Sequence, residues 1–333
     1  MGREAILALL RAQTGAFLSG EQLSERLGLS RTAIWKSVNS LRQEGYEIEA
    51  RTGMGYRLVA APDVLTEAVI RHRMGRTEII GAEMHCFDEI DSTNTYARQL
   101  AQAGAPDGAV VIADFQTAGR GRMGRSFQSP RGKGIYLTAL LRPDLPPERL
   151  MPVTALAGVA VCDAVERVCG LRPGLKWPND PVLGNRKLCG VLTEMALEGE
   201  TGRVQHLAVG IGINVGQRAE DFDGEVAEIA TSLSMELGRP VSRPELTAVL
   251  LEELDRMYAA LRKNELGAYL DAYRRDCVNL GKTVQLIGFE GRETVTAVNV
   301  DEAFGLVVRD ANGVERTVRS GEVSVRGLFG YVE

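Results

Sequence analysis

Gln116-Thr117-Ala118-Gly119-Arg120-Gly121-Arg122-Met123-Gly124-Arg125 sets the character of the chain around it. Its three glycines let backbone N–H groups come close to an anion, and its three arginines add permanent positive charge. The apolar run Ala109-Val110-Val111-Ile112-Ala113 precedes it, so it reads as a loop hanging from a sheet edge. Arg/Gly segments also occur as disordered nucleic-acid tethers. This one is short and runs on into Phe127 and a strand-like stretch, which favours a folded loop. Such a loop suits chemistry that gathers two anions in one place.

Working outward, Ile135–Leu141 and Leu207–Ile213 read as further strands, and Met151–Cys169 and Arg243–Lys263 as helices. Strands outnumber helices and several come in tandem, so a mixed sheet backed by helices is expected over residues 64–275. Residues 276–333 are nearly all strand signal: Thr283–Ile287, Glu293–Val298, Gly305–Arg309 and Glu315–Val318, with Asp310-Ala311-Asn312-Gly313 as a tight turn. Short strands at this spacing suggest a small barrel.

Residues 1–63 have a different pattern. Ile6, Leu7, Leu9 and Leu10 suggest one helix, and Leu23 and Leu27 a second. Gly28-Leu29-Ser30 breaks it, and Ser30 caps a third helix carrying Ile34, Val38 and Leu41. Tyr46–Ile48 and Tyr56–Leu58 then flank a Gly53-Met54-Gly55 turn, and Ala60-Ala61-Pro62-Asp63 is the exit. Helix, tight turn, helix, hairpin is the winged helix-turn-helix pattern of DNA-binding domains. Between Arg26 and Gln43 stand Arg26, Arg31, Lys36 and Arg42 with no acidic residue, a cationic face suited to phosphates. Ser30, Arg31, Thr32, Trp35 and Lys36 start the third helix, where side chains reach base edges, and Arg51 and Arg57 flank the wing. The fold expected is thus a multidomain α+β chain with boundaries at 1–63, 64–275 and 276–333.

The bulk numbers agree with that reading and exclude others. At 333 residues there is room for two or three domains at roughly 150 residues each. A hydrophobic share of 44% and a charged share of 25% are ordinary for globular chains, and a net charge of −5 argues against a molecule coated in nucleic acid. No apolar run reaches the roughly 20 residues that span a bilayer, and the start lacks a secretory cleavage site, so a cytoplasmic protein with no membrane partner is expected. The five cysteines include no CxxC pair and read as reduced interior thiols. His72, His85 and His206 share no ligand spacing.

Three further motifs bear on chemistry. In Lys176-Trp177-Pro178-Asn179-Asp180, Pro178 fixes a turn, and Asp180 is a candidate for holding magnesium beside phosphates. Gly184-Asn185 makes a hairpin turn, after which Lys187 opens a strand-like run and is placed to neutralise a phosphate or carboxylate. Asp91-Ser92-Thr93-Asn94 precedes a helical stretch and supplies either caps or groups that recognise a polar ring.

The segments DSTN (91–94), QxxGRGRxGR (116–125), KWPND (176–180), RKxxGxLxE (186–194) and GIGIN (210–214), in this order and spacing, resemble those of biotin protein ligases. With the winged helix in front, the chain is similar over its whole length to the bacterial ligases that also repress a biotin operon. The resemblance implies a class II synthetase-like ligase domain and an SH3-like terminal barrel. It also implies an activity: biotin is activated with ATP and Mg²⁺ as biotinyl-5′-AMP, then passed to a lysine of a biotin carboxyl carrier protein. The partners implied are that carrier, operator DNA and a second copy of the chain in an adenylate-bound homodimer. Ser92, Thr93 and Asn94 would lie against biotin, and Gln116 matches the family's ligand-binding glutamine before the loop. Gly119, Arg120, Gly121 and Arg122 would close over biotin and the adenylate. Lys187 would meet the carboxylate and α-phosphate, with Gly190 also among the ligand-binding residues, so that Lys187, Arg120 and Arg122 carry the catalytic charge. Asn179, Asp180 and Asn214 would handle ATP and magnesium. Two features depart from the pattern. Met123 stands where the loop often has arginine, and residues 216–230 offer only Phe222 as an aromatic for adenine. The residues leave open a ligase of lipoate or another small acid, a catalytically dead sensor, and a ligase whose first domain no longer binds DNA.

Overall fold

Ser19 and Ser30 punctuate the first 63 residues. The computed structural model describes residues 2–13, 15–43, 45–60, 62–288, 291–319, 324–327 and 331–332. Helix α1 spans Gly2–Ala12, α2 Gly20–Leu27 and α3 Arg31–Gln43, followed by strands β1 (Glu47–Arg51) and β2 (Gly55–Ala60). At the start of α2, Ser19 Oγ accepts from Gln22 N (3.1 Å) and Gln22 Oε1 accepts from Ser19 N (2.9 Å), a reciprocal capping box. Gly28 ends the helix with φ 65°, where a side chain would be strained. Ser30 Oγ then accepts from Ala33 N (3.2 Å) and opens α3. Ile34, Val38 and Leu41 turn one face of α3 onto Ile6, Leu10 and Leu23. Full burial of each such side chain stabilises by about 1.5–3 kcal/mol. Leu18 and Tyr56 exchange two 2.8 Å backbone hydrogen bonds, adding a short third edge to the hairpin. The first unit ends at Asp63. Of the expected exit, Ala61 lies outside the described residues.

Among the described residues, the second unit, Val64–Glu333, is built on three sheets. Its strands are β3 (Met84–Phe87), β4 (Ala109–Ala113), β5 (Gly134–Leu141), β6 (Gly174–Lys176), β7 (Asp180–Leu183), β8 (Arg186–Lys187), β9 (Cys189–Leu197), β10 (Val204–Asn214), and β11–β15 in the tail. The central sheet runs β3-β4-β5-β10-β9, with β3 and β4 parallel and the other neighbours antiparallel. This is the mixed sheet expected. Val110 and Ile112 face the large core that includes the Val153–Cys169 and Arg243–Lys263 helices, while Val111 packs with Ala97 of the Thr93–Gln102 helix. Both faces are covered, so β4 and β5 read as unbroken apolar runs. The Gly/Arg segment hangs from the end of β4, an inner strand, so the edge position expected for it is corrected: β3 and β9 are the edges. The helix expected from Met151 begins at Val153, behind Pro152 at its N-cap.

The three-stranded sheet β6-β7-β8 holds two tight turns. Gly184 (φ 51°) and Asn185 (φ 62°) form the two-residue turn between β7 and β8, as their dipeptide predicts. Lys176 and Asp180 pair across the other turn. In the tail, β11 (Thr283–Gly288), β12 (Gly291–Val300), β13 (Leu306–Arg309), β14 (Glu315–Val318) and β15 (Ser324–Gly327) make an antiparallel sheet ordered β14-β13-β12-β11-β15. Sequence periodicity missed β15. The buried residues of these strands, such as Val284, Leu306 and Val308, belong to the same continuous core as the central sheet. Among the described residues, no helix is long and apolar enough to cross a membrane.

Candidate active site

Glycines on β10 open the cavity into which the five motifs converge. A Cβ on Gly210 would lie 2.0 Å from Asn94 Oδ1, and one on Gly212 would lie 2.5 Å from the Phe127 ring. Both positions need glycine because another side chain occupies the space. The cavity, about 190 Å³, is lined by residues of all five motifs and by Phe222, Val325 and Tyr331.

One wall is a polar network. Ser92 is the N-cap residue of the Thr93–Gln102 helix but makes no capping bond, and it lines the cavity. Thr93 donates to Gln116 Oε1 through N (2.9 Å) and Oγ1 (3.1 Å), and Gln116 Nε2 donates to Ser129 Oγ (2.9 Å). Asn94 Oδ1 accepts from Thr138 Oγ1 (2.6 Å), while Asn94 Nδ2 donates to Glu194 Oε2 (2.9 Å). These buried and half-buried groups hold one another in place along the cavity wall.

The Gly/Arg segment is a small folded flap. Phe127 N donates to Gly119 O (2.9 Å) and Gly121 N to Arg125 O (2.7 Å), and Arg120 and Ser126 pair antiparallel. Gly119 allows this, because a Cβ there would meet Phe127 O at 2.4 Å. Arg122–Gly124 forms the tip, with Met123 in the left-handed region at φ 56°. The arginines take different partners: Arg120 Nη1 lies 3.1 Å from Glu194 Oε1, and Arg122 Nη1 donates to Asn179 Oδ1 (3.1 Å). Burial lowers the Arg122 pKa below its usual value, against the opposing pull of Asp180.

The opposite chemical character gathers around Asp180. Lys187 Nζ donates to Asp180 Oδ1 at 2.8 Å, and the Tyr331 hydroxyl donates to Oδ2. Burial alone would raise the Asp180 pKa; the positive charges of Lys187 and Lys176 and the two hydrogen bonds outweigh it, and the net shift is downward. The stem of Lys187 crosses Gly190, whose Cβ would sit 3.3 Å from Nζ. Asn179 Nδ2 donates to Val191 O (2.8 Å), fixing the KWPND turn to β9. Asn214 Nδ2 donates to Thr231 O (3.0 Å) and its Oδ1 accepts from Gln217 Nε2 (3.1 Å). Asn214 N also donates to Leu188 O (2.9 Å) and its Nδ2 lies 3.5 Å from Lys187 O, so Asn214 braces the Lys187 segment. Phe222 is buried and lines the same cavity. Among the described residues no group of three or more His, Cys, Asp or Glu is arranged to hold a metal ion. A magnesium ion would find Asp180 as its carboxylate and take its other ligands from phosphate and water, the usual mode for Mg²⁺.

Comparison with known proteins places this arrangement. The biotin/lipoate A/B protein ligase family matches residues 86–214, and a helix-turn-helix domain matches residues 3–57. The bifunctional ligase/repressor BirA of Bacillus spizizenii is 36% identical over 314 residues, covering 94% of this chain and 96% of that protein. The chain belongs to the bifunctional ligase/repressor family. The Escherichia coli member is 30% identical over 322 residues, 96% of each protein. The biotin protein ligase from Aquifex aeolicus, solved in complex with biotin and ATP, superposes with a TM-score of 0.63 at 29% identity, covering 74% of this chain and 99% of that one.

In this family member the five residues expected to read DNA, Ser30, Arg31, Thr32, Trp35 and Lys36, are all exposed, Trp35 to 55%. Arg42 is exposed as well, but its Nε and Nη2 donate to Ile48 O at 3.0 and 2.6 Å, which draws its guanidinium toward the hairpin. Arg51 and Arg57 both pair with Glu49 and lie over the Phe17 ring, so one of the two wing charges is offset within the hairpin. Sequence reasoning assigned no role to Glu194, Thr138, Lys176 or Tyr331. Glu194 closes the RKxxGxLxE motif and Lys176 opens KWPND, so a signal existed for both. Thr138 was hidden inside an apolar strand, and Tyr331 reaches Asp180 across 151 residues of sequence.

Proposed function

We propose that this protein is an ATP-dependent biotin protein ligase that also represses transcription in response to biotin. The observation that carries the reading is the Lys187–Asp180 pair, set in a cavity under a Gly/Arg flap whose opposite wall is the Ser92–Asn94 network. A carboxylate is a poor acyl donor because its leaving group would be oxide. Biotin lies with its polar ring against Ser92, Thr93 and Asn94 and its carboxylate toward Lys187. A carboxylate oxygen attacks the α-phosphorus of ATP, the bond to the β-phosphate oxygen breaks, and pyrophosphate leaves. Biotinyl-5′-AMP, a mixed anhydride, remains. The two reactants are both anions, and Lys187 and Arg122 cancel their repulsion in a site with little water. Asp180 would hold a Mg²⁺ ion carried by the triphosphate, and the ion would supply further charge neutralisation there. Arg120 begins on Glu194 and joins the ligand as the flap closes. The ε-amine of a carrier lysine then attacks the acyl carbon, AMP leaves with the bridging oxygen, and the amine proton passes to solvent. That step depends on positioning and on a flap that excludes water.

Mass spectrometry of a biotin carboxyl carrier domain incubated with the protein, ATP, Mg²⁺ and biotin tests this: one lysine should gain a biotinyl group. An unmodified carrier would refute it, and lipoate in place of biotin is the control for the related acid.

The exposed face of α3 supports binding of operator DNA, with the adenylate favouring a homodimer as corepressor. Sedimentation should give adenylate-dependent dimers, and a gel shift on the chain's own biotin-gene promoter should depend on biotin; monomers throughout would remove the dimer from the scheme. The domain scheme is 1–63, 64–275 and 276–333, with a class II synthetase-like middle and a tail whose five strands curl into an SH3-like barrel. The barrel requires its edge strands β14 and β15 to be protected from hydrogen exchange. The site of action is the cytoplasm, checked by fractionation.

A further inference from the structure

Glu194 sits on β9, the edge strand, yet three residues from two other elements converge on its carboxylate. Oε2 accepts from Asn94 Nδ2 at 2.9 Å, and Oε1 lies 3.1 Å from Arg120 Nη1 and 3.6 Å from Arg98 Nη1. Asn94 and Arg98 stand one helical turn apart on the Thr93–Gln102 helix, whereas Arg120 belongs to the flap. One carboxylate thus joins the flap to the helix that recognises the ligand. Asn94 cannot rotate to seek another partner, because its oxygen is committed to Thr138 and Gly210 lies directly beneath it. Its amide nitrogen is therefore aimed chiefly by Glu194, with Leu192 O a more distant second acceptor at 3.4 Å.

We propose that Glu194 is a positioning residue that latches the flap through Arg120 and aims Asn94 at the ligand, so that flap closure and ligand pose are coupled. The ligand is the small acid of the function proposed above, on which this inference rests. Before ligand arrives, Glu194 holds Arg120 close to the cavity mouth. When an anion enters, Arg120 has a second acceptor within reach, and Glu194 retains Arg98 and Asn94. The flap therefore closes by exchanging one ion pair for another without leaving a bare charge behind.

Two variants of the full chain separate the halves of the claim. Glu194→Gln keeps an acceptor for Asn94 but removes the charge that holds Arg120. Trypsin cleavage within the flap of the unliganded protein should accelerate about fivefold, the worth of a half-exposed ion pair. Bound biotinyl-AMP should escape faster by a similar factor. Glu194→Ala also removes the acceptor, so its KM for biotin should rise about tenfold, well beyond that of Glu194→Gln. In an Arg120→Ala background, Glu194→Gln should give no further acceleration of cleavage, since both changes undo one contact. Wild-type cleavage rates in Glu194→Gln, additive effects with Arg120→Ala, or equal biotin KM values in the two Glu194 variants would each overturn the latch. The proteolysis arm needs no ligand. If wild type forms no biotinyl-AMP while the variants still open the flap, the function reading fails and the latch stands.

Discussion

Replacing Gly210 by alanine would place a methyl carbon 2.0 Å from Asn94 Oδ1, 2.8 Å from its Cγ and 3.0 Å from its Nδ2. Cβ contacts below 3.0 Å essentially never occur, so the amide must retreat by about 1 Å. It has nowhere to go without breaking its bonds to Thr138 (2.6 Å) and Glu194 (2.9 Å). Two hydrogen bonds at about 1 kcal/mol each amount to about 30-fold in affinity for a ligand that reads this amide. Overpacking adds about 1–3 kcal/mol of destabilisation, visible as a Tm lower by a few degrees. Calorimetric titration of biotin into Gly210→Ala and Gly199→Ala measures the difference. Gly199 has open space where its Cβ would go and should behave as wild type. If Gly210→Ala binds biotin within about twofold of wild type, Asn94 does not face the vitamin and the assignment of that wall is wrong.

Lys187→Ala should slow pyrophosphate release by about 10²–10³-fold, as removal of one preorganised charge does in comparable sites, and near-normal release would count against its role. Lys36→Ala should weaken operator binding and lower the salt slope by about one, whereas Arg42→Ala, which loses its grip on Ile48 O, should lower the Tm of the first unit; the reverse outcome in gel shifts and melting curves would exchange their assignments. Burial, aided by Glu67, pushes the Cys86 thiol up to about 11, so the thiolate is scarce at neutral pH and grows as pH rises toward that value. Iodoacetamide should modify native Cys86 slowly at pH 7 and much faster near pH 10.5; a rate at pH 7 matching the unfolded chain would contradict that burial.

Much of the fold was legible because its signals are local. Ser30, Gly28 and the 3–4 spacing of Ile34, Val38 and Leu41 define α3 within a dozen residues, and Gly184-Asn185 defines its own turn. β4 and the Arg243–Lys263 helix were bounded to the residue, since apolar runs and caps coincide there. The strands missed, such as Met84–Phe87, Gly174–Lys176 and Ser324–Gly327, are three or four residues long and take their identity from partners far away in sequence. The same distinction governs the site. Motif order brought Ser92–Asn94, Gln116, Asn179, Lys187 and Asn214 forward. The direction of each side chain depended on contacts that no spacing encodes, such as Arg120 turning to Glu194 and Arg42 turning back to the wing. Reading the wing from Arg51 and Arg57 alone also overstated its free positive charge, because Glu49 stands between them.

Trp177 lies at the turn that presents Asn179 and Asp180, and beyond its packing in the main core both of its N–H groups are held by residues further along the chain. Its indole N–H donates to Phe304 O (3.0 Å), its backbone N–H donates to Asn279 Oδ1 (2.8 Å), and Tyr331 rests against Asp180 itself. The tail is therefore a buttress, and the KWPND turn leans on it. A fragment trimmed at residue 276 would keep every signature motif yet lose the masonry behind one of them. Engineers seeking a minimal ligase, and lineages shuffling modules, meet the same constraint: the chain can shed weight at its front more safely than at its back.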